Sequence, residues 1–181
     1  MHPIVIVSGP PGSGKTTACG LLAQADPHGL HLPSDLFYGF PAHPIPPYRP
    51  QADAQNAAVI RAVCRSAASF AADGYRVYLD GIFGPWFLPL IAAQLQAARV
   101  PAAYALLDIG LDEALARVEQ RSGPGQASMV RTMHDAFRAA GGLAGHRVVT
   151  GGRPAAEIAN EIAGRLQAGA LALDLARWAR G

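Results

Sequence analysis

The 181-residue sequence is short of lysine, of cysteine and of long apolar stretches, and each shortage argues against a class of protein. Lysine occurs once among 15 basic residues, at Lys15. The sequence contains no run of basic residues, which argues against a nucleic-acid partner. Two cysteines, Cys19 and Cys64, are too few for a disulfide framework. No run of about 18 apolar residues predicts a membrane span, and the apolar start over 4–7 is too short for a secretion signal. We expect a cytoplasmic protein.

Half of the residues are apolar, and a chain of this length predicts one domain over 1–181. Short apolar runs alternate with helical patterns, which indicates an α/β fold with a parallel sheet between two helical layers. Strands are predicted at 4–7, 30–32, 75–79, 102–107 and 147–150. Helices are predicted at 15–25, 51–73, 85–98, 112–120, 129–140, 154–168 and 169–180, the last with Leu171, Leu175 and Trp178 along one side.

Two segments between these elements read as loops. The stretch 39–50 contains five prolines, which favour an extended loop that could contact a substrate. The stretch 121–128 is polar and rich in glycine, which predicts a short flexible lid.

The segment VSGPPGSGKTT contains the pattern G-x-x-x-x-G-K-[ST] directly after a predicted strand and before a predicted helix. Such a loop cradles nucleotide phosphates with backbone N–H groups, while its lysine spans the β- and γ-phosphates and its threonine holds Mg²⁺. The sequence therefore predicts binding of ATP and Mg²⁺ by Gly9, Pro11, Gly12, Ser13, Gly14, Lys15, Thr16 and Thr17.

Two acidic residues follow strands at the same edge of the predicted sheet as this loop. Asp80 closes the third strand and could hold the metal through water, or cap the following turn. Asp35 follows the second strand and could take part in the reaction at this edge, or it could cap a short helix over 36–39. A guanine-reading Asn-Lys-x-Asp element cannot exist without a second lysine, and motor ATPases need a longer chain, so a compact P-loop kinase remains.

Several segments together resemble successive landmarks of small P-loop kinases: GPPGSGKTT, HLPSDLF, YRVYLDGIFGP, ALARVEQRSG and VVTGGRPAAEIANEI. The sequence is most similar to the chloramphenicol phosphotransferase-like, AAA-type group, and more distantly to gluconate and shikimate kinases. This resemblance implies a three-layer P-loop NTPase sandwich with strand order 2-3-1-4-5 and a short lid. It also implies ATP-dependent phosphorylation of a hydroxyl on a small molecule.

The resemblance further implies roles for single residues. It places at Asp35 the acid that accepts the proton of the acceptor hydroxyl, although the choice between Asp35 and Asp80 stays open. It implies that Arg117 and Arg121 close over ATP, unless Arg117 only pairs with Glu113. Gly152 and Arg153 would contact adenine, unless they form a plain turn between strand and helix.

The acceptor pocket is expected between the ends of the second and third strands and the proline-rich loop. Asp35 and the nearby aromatic and basic residues are candidates for its lining, although core packing would explain each of the aromatics as well. These candidates are Phe37, Tyr38, Phe40, Tyr48, Arg49, Phe83 and Trp86. An aromatic lining suits a flat or hydrophobic acceptor. The six histidines show no metal-ligand spacing.

The sequence thus predicts a kinase of a small hydroxylated molecule. A nucleoside or nucleotide kinase is the alternative if the aromatics enclose a base, and a slow ATPase that acts as a switch is another. Neither the acceptor, the choice between monomer and homodimer, nor the role of the helix at 169–180 follows from the residues.

Overall fold

Five short, apolar segments form the centre of the molecule in the computed structural model, which describes residues 2–139 and 141–180. The β-branched residues of the first, third and fifth segments favour extended backbone. All neighbouring strands run parallel, in the order β2-β3-β1-β4-β5, which confirms the predicted sheet. The strands are β1 (Ile4–Ser8), β2 (Gly29–Pro33), β3 (Arg76–Asp80), β4 (Ala102–Asp108) and β5 (Arg147–Val149).

Eight α-helices connect or follow the strands in the described part of the chain. They are α1 (Lys15–Ala25), α2 (Asp35–Tyr38), α3 (Asp53–Ala72), α4 (Leu88–Ala97), α5 (Leu111–Ser122), α6 (Ala127–Ala139), α7 (Ala155–Gln167) and α8 (Leu175–Ala179). The helix predicted at 129–140 corresponds to α6, and its predicted end at residue 140 lies outside the described residues. The predicted domain limits at residues 1 and 181 also lie outside them. Among the described helices, none combines the length and the apolar character needed to cross a bilayer.

The alternating side chains of each strand build a core on both faces of the sheet. Ile4 and Ile6 of β1 pack with α3 and α4, whereas Val5 and Val7 pack with α1 and α7. A third, smaller apolar cluster joins α5 to α6. The molecule is therefore the predicted three-layer sandwich, with the α5–α6 pair as an addition.

Among the element boundaries that differ from prediction, two have a reason in backbone chemistry. The helix expected from residue 85 begins at Leu88, because Pro89 lacks an N–H and fits only the first turn. The helix expected to end at 120 continues to Ser122, where Gly123 stops it with a positive φ of 73°. The loop predicted over 121–128 is consequently irregular only at 123–126.

The prediction of one helix over 169–180 is wrong. Only Leu175–Ala179 is helical, and before it Ala172 forms an isolated antiparallel bridge with Ala103 of β4. The Tyr104 N–H donates to the carbonyl of Leu171 at 2.8 Å, and the Leu173 N–H donates to Ala102 at 2.9 Å. Because β5 pairs only with the last three residues of β4, these earlier backbone groups would otherwise lack partners.

This arrangement makes Leu171 a core residue, and we predict that Leu171→Ala destabilises the fold. The side chain is completely buried, and truncation of a buried leucine to alanine costs about 2–5 kcal/mol. Chemical denaturation measures the loss, with Leu36→Ala as the control because Leu36 is 62% exposed. A free energy of unfolding equal in both variants would contradict the pairing of this segment with β4.

Candidate active site

The loop between β1 and α1 has a backbone that only glycine-rich sequence adopts easily. Gly12 and Gly14 have φ values of 82° and 92°, in the left-handed region. A Cβ on Gly12 would lie 2.7 Å from the carbonyl oxygen of Ala114, so α5 packs closely against this loop. Ser13 Oγ is buried and finds no hydrogen-bond partner among the described residues. A free buried hydroxyl beside a helix N-terminus suits a phosphate oxygen.

Lys15 begins α1 and folds back over this loop. Its Nζ donates to the carbonyl oxygens of Gly9 and Pro10, each at 3.0 Å. The packed surroundings remove water from the ammonium and lower the pKa of Lys15 to about 8. The negative charges of Asp35 and Asp80 oppose this change. The sheet edge thus brings both predicted acids to the predicted phosphate-binding lysine.

Thr16 and Asp80 join the loop to the end of β3. The Thr16 hydroxyl donates to Asp80 Oδ2 at 2.6 Å, and Asp80 is 4% exposed. The other carboxylate oxygen lies 2.9 Å from His31 Nε2, on the edge strand β2. A hydroxyl and a carboxylate beside a phosphate-binding loop are the hard oxygen donors that Mg²⁺ prefers. Thr17, the next residue, is exposed.

Arg117 forms the ion pair with Glu113 that was the alternative, and it also contacts the phosphate loop, while its closing over ATP stays a prediction. Arg117 Nη2 pairs with Glu113 at 2.5 Å, one turn earlier on α5, while its Nη1 donates to the Gly12 carbonyl at 3.3 Å. Glu113 also accepts the N–H of Gly152 at 3.2 Å. One carboxylate therefore joins the arginine at the phosphate loop to the loop that follows β5. Sequence patterns predict Glu113 only as a partner of Arg117, because Gly152 is distant along the chain.

Arg121 and Arg153 have different surroundings. Arg121 is exposed in the last turn of α5, where it contacts Ser122, and its positive charge contributes to the lowered pKa of Lys15. Arg153 donates to the Val149 carbonyl and to Glu161, each at 2.7 Å, so its guanidinium lies against α7. The charge of Arg121 therefore acts on Lys15, while the closing of Arg121 over ATP and the contact of Arg153 with adenine stay predictions.

The proline-rich segment is held in place by two amide side chains of α3. Gln55 exchanges two hydrogen bonds with the backbone of Ile45, at 2.8 and 2.7 Å, and Asn56 donates to the Pro47 carbonyl at 2.8 Å. Because these bonds fix the backbone, the segment forms a defined wall next to α2.

A cavity of about 240 Å³ opens between this wall, α2 and α6. Asp35 is the one charged side chain in its lining, and the other lining residues are mostly apolar or aromatic. Burial and the charge of Asp35 raise the pKa of Tyr38 to about 12, so the phenol stays neutral. The lining consists of Ser34, Asp35, Tyr38, Pro47, Tyr48, Ile82, Phe83, Trp86, Phe87, Met129 and Met133.

The predicted pocket residues divide into two groups. Asp35, Tyr38, Tyr48, Phe83 and Trp86 line the cavity. The others are outside the lining: Phe37 packs against the core, Phe40 is 74% exposed, and Arg49 is exposed.

Sequence reasoning missed the α6 contribution to this cavity. Met129 and Met133 are spaced i, i+4 and so share one helix face, a signal that was present in the sequence. This spacing does not reveal which cavity the helix face meets, because α6 is far from β2 and β3 along the chain.

Phe83, a predicted pocket residue, is held in a fixed position. Its N–H donates to Ser8 at 2.9 Å, and its carbonyl accepts from Tyr104 at 2.6 Å.

Comparison with known proteins identifies the fold. No protein-family model matches the sequence, and no curated protein matches it. Among solved structures, the tunicamycin resistance protein of Deinococcus radiodurans aligns with a TM-score of 0.71 at 18% identity, over 92% of this chain and 96% of that chain. The APS kinase of Mycobacterium tuberculosis, in complex with AMPPNP and APS, aligns at 0.70 and 16% identity, over 92% and 98%.

A third similar structure is the shikimate kinase from Acinetobacter baumannii in complex with shikimate. It aligns with a TM-score of 0.65 at 16% identity, over 93% of this chain and 95% of that chain. The chain therefore has the fold of small P-loop kinases, and the predicted resemblance is confirmed at the level of fold.

The lowered pKa of Lys15 predicts that ATP binding weakens as pH rises through about 8. Phosphate binding needs the protonated ammonium, so the apparent affinity falls with the protonated fraction. We expect binding about tenfold weaker at pH 9 than at pH 7, measured by calorimetry in buffer containing a chelator. Lys15→Met should bind ATP weakly and with little change over this range. Equal affinity of the wild type at both pH values would contradict the prediction.

Proposed function

We propose that this chain transfers the γ-phosphate of ATP, with Mg²⁺, to a hydroxyl group of a small uncharged molecule in the cytoplasm. The observation that carries the proposal is the cavity at the ends of β2 and β3, in which Asp35, the one charged residue among the described lining residues, also acts electrostatically on Lys15. An acceptor hydroxyl at the carboxylate would then meet the phosphoryl group held at the ammonium.

The phosphate side of the reaction is assigned to the loop 9–17. Its backbone N–H groups and the Ser13 hydroxyl would bind the β-phosphate, and Lys15 would leave its two carbonyl partners to span the β- and γ-phosphates. Mg²⁺ would be held by Thr16 directly and by Asp80 through water, and when bound it neutralises phosphate charge. Oxygen donors at both positions fit this ion.

Arg117 and Arg121 are proposed to stabilise the negative charge on the phosphoryl group during transfer. Arg117 starts from a position beside Gly12, held by Glu113. Glu113 also accepts a hydrogen bond from Gly152. Occupation of the nucleotide site would therefore affect both Arg117 and the loop that follows β5. We assign adenine contact to the backbone of Gly152 and to Arg153, whose ion pair with Glu161 fixes its orientation.

Asp35 is proposed to accept a hydrogen bond from the acceptor hydroxyl and take its proton. Phosphoryl transfer has a loose transition state that needs little help from a strong base, so orientation of the hydroxyl is the larger part of this role. Asp80 is the weaker candidate for the base, since both of its oxygens already have partners, Thr16 and His31.

The lining of the cavity selects the class of acceptor. An anionic acceptor would meet Asp35 and no lysine, arginine or histidine in the lining, and a buried charge without a partner is costly. Apolar and aromatic walls favour a molecule with an apolar or flat body. A neutral nucleoside satisfies the same conditions through stacking on Trp86 or Phe83, whereas a nucleotide does not.

Asp35→Asn distinguishes a kinase from an ATP-binding switch. The amide keeps the size of the side chain but loses the negative charge that orients the hydroxyl and takes its proton, so acceptor-stimulated ADP release should fall by about 10²-fold or more. Background hydrolysis and ATP affinity, compared at a pH at which Lys15 stays protonated in both proteins, should stay near those of the wild type, because the phosphate loop is unchanged. The measurement is ADP release with and without a library of neutral alcohols.

The matched control for this substitution is Asp73→Asn, an exposed carboxylate at the end of α3. It removes the same charge far from the cavity and should leave stimulation intact. Stimulation that is equal in Asp35→Asn and wild type would remove Asp35 from the mechanism.

The charge of the acceptor can be tested with benzyl alcohol and 4-(hydroxymethyl)benzoate, which differ by one carboxylate. We expect the neutral alcohol to bind about tenfold or more tightly, because the carboxylate must enter the cavity beside Asp35. Trp86 lines the cavity, and the other tryptophan, Trp178, packs elsewhere on the core. Quenching of fluorescence in Trp178→Phe therefore reports occupation of the cavity. Tighter binding of the benzoate would contradict the proposed acceptor class.

A further inference from the structure

Behind the proposed Mg²⁺ position, three side chains from three elements meet. Cys19 comes from α1, His31 from β2 and Asp80 from the end of β3. One ligand atom of each, the thiol sulfur, an imidazole nitrogen and a carboxylate oxygen, lies within 4.8 Å of the other two. His31 Nε2 and Asp80 Oδ1 are 2.9 Å apart. No local sequence pattern predicts this cluster, because its members are separated along the chain.

We propose that Cys19, His31 and Asp80 form a binding site for a thiophilic divalent cation of the zinc class. Sulfur, imidazole and carboxylate are the donors that Zn²⁺ takes, at about 2.0–2.3 Å, and three protein ligands leave a fourth position for water. Mg²⁺ avoids sulfur and nitrogen donors. Ligand atoms this close need only small side-chain rotations to reach one ion.

The surroundings of Cys19 support an ion rather than a free thiolate. Cys19 is completely buried, and no hydrogen bond to its thiol is found among the described residues. Zinc binds the thiolate form of cysteine, so the proton of the Cys19 thiol would pass to the buffer as the ion binds.

An ion can reach the cluster from the edge of the sheet. β2 is an edge strand, and the His31 side chain is 23% exposed. Cys64 provides a contrast, because it is also buried but lies on the opposite face of the sheet, with α3. It belongs to no comparable group of ligands among the described residues.

Occupation of this site would affect the proposed phosphoryl transfer through Asp80. The carboxylate that contacts His31 is the same one that accepts the Thr16 hydrogen bond. An ion bound on the His31 side would draw electron density out of the Asp80 carboxylate. The interactions of this carboxylate with Thr16 and with Mg²⁺ would then weaken. The proposed effect is inhibition by zinc. This effect rests on the proposed function, whereas binding of the ion does not.

The first experiment measures binding alone, by titrating the nucleotide-free full chain with Co²⁺. A cobalt–thiolate charge-transfer band with about one ion per chain is expected for wild type and Cys64→Ser. Cys19→Ser should lose the band, and His31→Gln should bind at least about tenfold more weakly. Circular dichroism checks that each variant is folded, and should Cys19→Ser unfold, loss of affinity in His31→Gln still decides. Wild type without the band, or a band lost only in Cys64→Ser, would overturn the site.

The second experiment measures ADP release at saturating Mg²⁺ with increasing Zn²⁺. Wild type and Cys64→Ser should be inhibited, and the zinc concentration for half inhibition should rise at least about tenfold in Cys19→Ser. Equal inhibition of Cys19→Ser and wild type would overturn the coupling to Asp80. If cobalt binds as expected but no ADP is released by any variant, the site stands and the proposed function fails.

Discussion

The ammonium of Lys15 constrains everything at the carboxyl edge of the sheet. It is the chain's one lysine, and it lies where packing removes much of its water, so it needs compensating partners. Two loop carbonyls bind it directly, and Asp35 and Asp80 supply negative charge from the ends of β2 and β3. The adjacent pairing of β3 with β2 and β1 brings those strand ends together. The sheet order and the electrostatics of the site therefore depend on each other.

The positions of the strands and of most helix ends are the part of the fold that sequence patterns predict well. Apolar runs located every strand, and glycine and proline marked most helix ends, because these signals are local. The C-terminal segment shows the limit of such signals. Leu171, Leu175 and Trp178 have helical spacing, yet the first of them lies outside the helix and binds β4 through its carbonyl. Nothing in that spacing reveals that the Tyr104 N–H, much earlier in the chain, needs an acceptor from this segment.

In the candidate site, too, the residues that have a local sequence signal could be predicted, and those placed by tertiary packing could not. The phosphate loop was predictable, because one contiguous segment carries its glycines, lysine and threonine. Asp35 and Asp80 were predictable because strand ends converge in a parallel sheet. The far wall of the cavity, with Met129 and Met133, depends on how α6 packs, and the link from Glu113 to Gly152 depends on two loops meeting. Such contacts arise from tertiary packing and leave no local pattern.

The segment at 171–173 has a consequence for the order of folding. Its pairing with β4 connects residues 171–173 to a strand made much earlier during synthesis. Until that segment emerges, part of β4 keeps free backbone groups, and an unpaired strand edge is prone to aggregate. The pairing of β4 is thus completed only after residue 173 has been made. A newly made chain passes through a vulnerable stage whose duration is set by the ribosome rather than by the sheet itself.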